Sequence, residues 1–178
     1  MTTKFIAPIG HLALGCALFC SNSIASTAAE QAAPAASAFA SPLSGARLAG
    51  SARRRFWGLD IDQARLWIRP GFQPMDFARH TFALELDYQR SFSRTDIATR
   101  SIEEMRRVGR FSDNQANDWL EALRAALPDV KKGDRITGVH LPGTGMRFLL
   151  NGQLYAEVRD AEMAPLFFGI WLSPATSE

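Results

Sequence analysis

The sequence predicts an α+β domain in which an antiparallel sheet is covered on one face by helices. Three observations predict it. Runs with the two-residue period of strands flank a pair of capped helical stripes, a tight Asn-Gly hairpin joins two of the later runs, and an apolar helical stripe follows them.

Two extended segments come first, Arg47–Phe56 and Leu59–Ile68, with Trp57-Gly58 as the turn between them and Pro70-Gly71 closing the second. In the second, Leu59, Ile61 and Gln63 alternate with Asp60, Asp62 and Ala64, and Leu66 and Ile68 then change phase. The slip predicts either a bulge or a strand buried on both faces. Phe82, Leu84 and Leu86 alternate with Ala83, Glu85 and Asp87, a half-buried strand leading to Tyr88.

Ser93-Arg94-Thr95-Asp96 is a capping pattern that opens a helix over 97–108, with Ile97, Ile102 and Met105 inward and Gly109 as the stop. Ser112-Asp113-Asn114-Gln115 opens a second, whose stripe of Ala116, Trp119, Leu120, Leu123 and Leu127 runs until Pro128. Strand periodicity returns after Lys131-Lys132-Gly133-Asp134, a turn in which Asp134 is placed to accept nearby backbone N–H groups. Ile136, Gly138 and His140 form one face, and Thr137, Val139 and Leu141 the other. Pro142-Gly143-Thr144-Gly145 turns the chain into 146–150, and Asn151-Gly152 turns it again into Gln153–Val158. Asp160 caps a last helix in which Met163, Leu166, Phe167, Ile170 and Trp171 line one side.

With 178 residues, the chain has room for one well-buried core and too few for two ordinary domains once an N-terminal segment is set aside. Lys4, the apolar stretch through Phe19 and the small residues Ser23-Ile24-Ala25 form the charged region, apolar core and cleavage site of a secretory leader over residues 1–25. Pro8 and His11 interrupt that stretch, which is shorter than the ~20 residues of a membrane span, so no stable span is expected after cleavage. Cleavage there removes Cys16 and Cys20, hence any disulfide or thiolate; lipidation at Cys16 is the minority alternative. Residues 26–46 are rich in Ala, Ser and Pro and are expected to be a disordered linker, with the folded domain over 47–174 and a periplasmic or secreted location. The charge, 20 basic against 18 acidic residues, gives no reason to propose a nucleic-acid partner. His80 and His140 lie far apart in sequence, and no spacing of Cys, His and carboxylates suggests a metal; no cofactor is expected.

Gly50-x-x-Arg53, the run from Gly58 through Trp67, Val130 through Asp134, Asn151-Gly152 and Phe168-Gly169-Ile170-Trp171-Leu172 occur in the order and spacing of bacterial chalcone isomerase-like proteins. The resemblance covers essentially the whole folded part. It implies an open-faced β-sandwich of the chalcone isomerase type, an antiparallel sheet packed by a helix layer with a cleft between them. Plant members of that family cyclise chalcones to flavanones; members without that activity bind fatty acids in the same cleft.

Carried over residue by residue, the resemblance implies that the arginine holding the phenolate falls on Arg54, with Arg53 or Arg55 serving if the register slips. The carbonyl-polarising threonine falls on Asp62, which when ionised accepts but cannot donate a hydrogen bond. The family's lysine falls on Tyr88, its catalytic tyrosine on Ile97 and its substrate-binding asparagine on Glu104. These replacements imply a non-catalytic binder of a small amphipathic molecule such as a fatty acid, its carboxylate at Arg54 or a neighbour. The candidate binding residues are Arg53, Arg54, Arg55, Asp62, Tyr88, Ile97 and Glu104, with Asp62 expected to pair with the arginine cluster across the strands. An isomerase acting on an unsaturated substrate through Arg54 and Asp62, and an envelope interaction protein, are the alternatives.

Overall fold

The computed structural model describes residues 42–56 and 59–174, with the backbone alone for 54–56, 59 and 60. The leader at 1–25, the linker up to residue 41 and the Trp57-Gly58 turn lie outside the described residues. Six strands form one antiparallel meander in chain order: β1 (Arg47–Phe56), β2 (Leu59–Ile68), β3 (Phe82–Tyr88), β4 (Arg135–Leu141), β5 (Gly145–Leu150) and β6 (Gln153–Val158). Three helices, α1 (Arg94–Val108), α2 (Asp113–Ala126) and α3 (Met163–Leu172), accompany it. A short 3-10 segment over Pro74–Arg79, which carries no strong periodic signal, joins β2 to β3.

The register assigns each side chain a face. Ile68, Leu66, Ala64 and Asp62 stand opposite Phe82, Leu84, Leu86 and Tyr88, and β4 continues the same rows with His140, Gly138 and Ile136. This face meets the helices and carries the core. The pairing of β2 with β3 is unbroken, whereas against β1 the register shifts at Leu48/Gly50 and again at Arg54/Arg55, where β2 carries the extra residue, Ile61, between Asp60 and Asp62. Both expected outcomes are observed, the irregularity at Ile61 and burial on both faces, since Arg65 and Trp67 are buried on the side away from the helices.

On that outer side Arg65 donates to Glu85 at 3.0 Å, and Arg135 lies 3.6 Å from the same carboxylate. Trp67, Ala83 and Val139 cluster beside them, and Leu43 and Ala46 pack on that cluster just before β1. A buried guanidinium requires a carboxylate partner, since an uncompensated buried charge costs several kcal/mol. The sequence supplies both on alternate residues of neighbouring strands.

The helix ends follow their sequence signals. Ser93 Oγ accepts from the Asp96 N–H, and Ser112 and Gln115 form a reciprocal capping box. Asp160 Oδ1 accepts from the N–H groups of Glu162 and Met163 at the start of α3. Gly109 ends α1 with an extended backbone, so its need for glycine is steric: a Cβ there would meet Leu166 Cδ2 at 2.6 Å. The partner contact is Gly169 of α3, where a Cβ would meet Val108 Cγ1 at 2.5 Å. Two glycines thus let α1 and α3 approach closely above the sheet.

Candidate ligand cavity

Between the sheet and its helices lies a cavity of about 380 Å³. Its floor is the inner face of the sheet: Leu84, Leu86 and Tyr88 of β3, Ile136 and Gly138 of β4, and Phe148 of β5. Its roof is α1, through Ile97, Ser101 and Glu104, and α3, through Phe167, Ile170 and Trp171. The volume falls in the lower part of the ~300–1,000 Å³ range usual for ligand sites. If each heavy atom takes roughly the ~30 Å³ of a liquid water, then 380 Å³ accommodates about a dozen.

Each wall has a local cause. At Gly138 a Cβ would stand 3.1 Å from the Phe168 ring and 3.6 Å from that of Phe148, so the absent side chain lets two rings lie against the sheet. Phe92 lines one side because the segment between β3 and α1 is tied to the segment after α2. Phe92 and Val130 exchange backbone hydrogen bonds at 3.0 and 2.9 Å. Next to that bridge the Arg94 N–H donates to Asp129 Oδ1 at 2.8 Å, and this backbone donor together with the Arg94 guanidinium holds the Asp129 carboxyl below its usual range.

The polar groups collect along α1. Asp96, Arg100, Ser101 and Glu104 reach the cavity from successive turns of α1, and Tyr88 faces them from β3. Glu104 is 3% exposed; its Oε1 lies 2.6 Å from Arg100 Nη2 and its Oε2 lies 3.4 Å from Arg107 Nε. Ser101 donates its hydroxyl to the Ile97 carbonyl at 2.8 Å, so that proton is engaged by the helix backbone. The Trp171 indole N–H is buried with no hydrogen-bond partner among the described residues.

Of the residues singled out from sequence, Tyr88, Ile97 and Glu104 stand in the cavity wall. Asp62 is fully buried one strand away, directly opposite Tyr88 on one side and Arg54 on the other. Arg53 is exposed and opposite Gln63, in the row that continues to Asp87 and Arg135 on the outer face, which turns it away from the cavity. The side chains of Arg54 and Arg55 lie outside the described residues. Arg100, Asp96 and Gly138 were not picked out as site residues from sequence. Arg100 and Glu104 carry the i, i+4 spacing of an ordinary surface helix pair, and only the fold shows one of them buried. His140, distant from His80 in sequence, is joined to it: its Nδ1–H donates to the His80 carbonyl at 2.8 Å, and burial pushes its pKa down. Among the described residues no group of three or more His, Cys, Asp and Glu is arranged to hold a metal.

A six-stranded antiparallel meander roofed on one face by helices, with an apolar hollow between, defines an open-faced sandwich with an internal ligand-sized cavity. The comparisons narrow this class. Residues 71–177 match the chalcone isomerase-like family, and the chain belongs to it. A relative in Haemophilus influenzae, described only as an uncharacterized protein, is 29% identical over 91 residues, 51% of this chain; the match spans 44% of that protein's length. Among solved structures, the crystal structure of an Arabidopsis thaliana fatty-acid binding protein superposes with a TM-score of 0.59 at 11% identity, covering 78% of this chain and 86% of that one. At that identity the likeness concerns the fold.

Proposed function

We propose that this protein is a non-catalytic binder of a small amphipathic molecule, with the apolar tail between sheet and helices and the polar head against Arg100 and Glu104 of α1. The observation that carries the proposal is the hollow itself. A fully packed interior would leave nothing near 380 Å³ between Leu86, Ile136 and Ile170. Burying an acyl chain contributes about 0.8 kcal/mol per methylene, so half a dozen methylenes supply useful affinity without chemistry. Fatty acids are one such class, and the Arabidopsis structure described as a fatty-acid binding protein shares the fold.

The wall supports binding over catalysis. Ile97 stands where the resemblance places a catalytic tyrosine, and Asp62 where it places a hydrogen-bond donor. Export belongs to the same proposal: Lys4, the apolar stretch behind it and Ser23-Ile24-Ala25 form a secretory leader, and a periplasmic or secreted binder would carry such a molecule outside the cytoplasm. Among the described residues no helix is long and apolar enough to cross a membrane.

Native mass spectrometry of the protein purified without detergent tests the binding. A retained species of acyl-chain mass, or a rise in melting temperature with ten- to twelve-carbon amphiphiles, is expected; neither appearing would refute the proposal. The mass of the protein in the periplasmic fraction checks export, with loss of residues 1–25 as the expected result.

A further inference from the structure

We infer that the cavity selects amphiphiles with an uncharged, hydrogen-bonding head, such as an alcohol or a primary amide, over the corresponding carboxylates. The inference rests on the binding role proposed above and specifies its ligand class. Among the described residues lining the cavity, the charged side chains are two carboxylates, Asp96 and Glu104, and one guanidinium, Arg100. That guanidinium is engaged by acids: Glu104 at 2.6 Å and Glu103 at 3.3 Å.

Behind this layer the pattern repeats. Asp62, a further carboxylate, is fully buried and in register with Tyr88. A ligand carboxylate entering here would have to shed water beside Glu104, 3% exposed, and compete with it for Arg100. Like charges brought together in a partly desolvated site repel strongly. An alcohol or amide meets no such repulsion. It donates to Glu104 or Asp96 and accepts from Arg100, so both kinds of group find a partner.

Isothermal titration of the 178-residue protein with decanol, decanamide and decanoate, at fixed ionic strength and pH 7.5, tests this. Decanol and decanamide are expected to bind about tenfold or more tighter than decanoate. Glu104→Gln leaves the cavity its shape but removes the negative charge that engages Arg100, and should raise decanoate affinity by roughly tenfold while moving decanol by less than about threefold. Asp96→Asn, at an exposed position in the first turn of α1, should shift decanoate the same way by a smaller factor. Wild-type protein binding decanoate as tightly as decanol, or variants that leave the ratio unchanged, would overturn the selectivity and leave the binding role standing. If none of the three ligands binds, both fall.

Discussion

The two ends of the layer between sheet and helices are built from the same strands and differ in one respect: one is filled and the other hollow. At the filled end Phe82 stacks on His140 with ring centroids 5.0 Å apart, and Phe168 meets both edge-on at 5.0 and 5.4 Å. Phe72 and Phe77 close over Phe82 from the 3-10 segment and its approach. Along the same face of β3, Leu84, Leu86 and Tyr88 line open space. On β4 the change happens at Gly138, between His140 and Ile136. The stacked trio of Phe82, His140 and Phe168 fills one end, and the hollow opens beyond it, where the rings of Phe148 and Phe167 stand in its wall; the fold separates the part that holds it together from the part that binds.

That separation can be broken by substitution. Phe168→Ala at the filled end should cost about 3–5 kcal/mol, whereas Leu86→Ala, whose side chain already borders open space, should fall near the low end of the ~2–5 kcal/mol range for such changes. Urea denaturation of both variants decides it, and equal losses would mean that the two ends are packed alike. Adding volume reverses the order. Ile136→Phe should leave stability within about 1 kcal/mol of wild type by filling existing space, while overpacking a close-packed core costs about 1–3 kcal/mol. The same variant should lower affinity for ten-carbon amphiphiles by at least about tenfold in titration calorimetry.

Smaller effects sharpen the comparison at the helix contact above both ends. Gly169→Ala forces a methyl toward Val108 Cγ1, a branched side chain close to the backbone, against about 1 kcal/mol gained in helix propensity. A net loss of about 1 kcal/mol in thermal denaturation is expected. Gly109→Ala meets only the mobile tip of Leu166 and should lose less. The smallest effect is a pH dependence at the filled end. His140 is buried among rings with its pKa lowered, so the unfolded chain takes up its proton first. Stability should be level above the unfolded value near 6.5 and decline as pH falls from there through the lower folded value. His140→Gln should flatten that decline in a series of denaturation curves.

The strands, their turns and the helix caps were legible in sequence because each rests on local chemistry: alternation in β3 and β4, Ser93 and Ser112 at helix starts, Asn151-Gly152 in the hairpin, where Asn151 adopts φ 51° and Gly152 φ 87°. The 3-10 segment over Pro74–Arg79 was not legible, because its residues repeat at neither period. Nor was the boundary between filled and hollow. Phe82 and Leu86 are equally apolar inward residues of one strand, and what divides them is the reach of Phe168 from a helix more than eighty residues later in the chain. Tyr88, Ile97 and Glu104 could be singled out only through family resemblance, since by pattern alone Glu104 belongs to a solvated helix face. Arg100 escaped for the same reason.

The central claim is that the hollow receives a ligand tail pointing away from Arg100 and Glu104. A crystal structure of the protein soaked with 10-bromodecanol, with bromine located by its anomalous signal, tests it most directly. The expected peak lies beside Gly138, Phe148 and Phe167, with the hydroxyl toward Glu104 and Arg100. A bromine found on the outer face of the sheet, or a cavity closed by repacked side chains with no bromine inside, would contradict it.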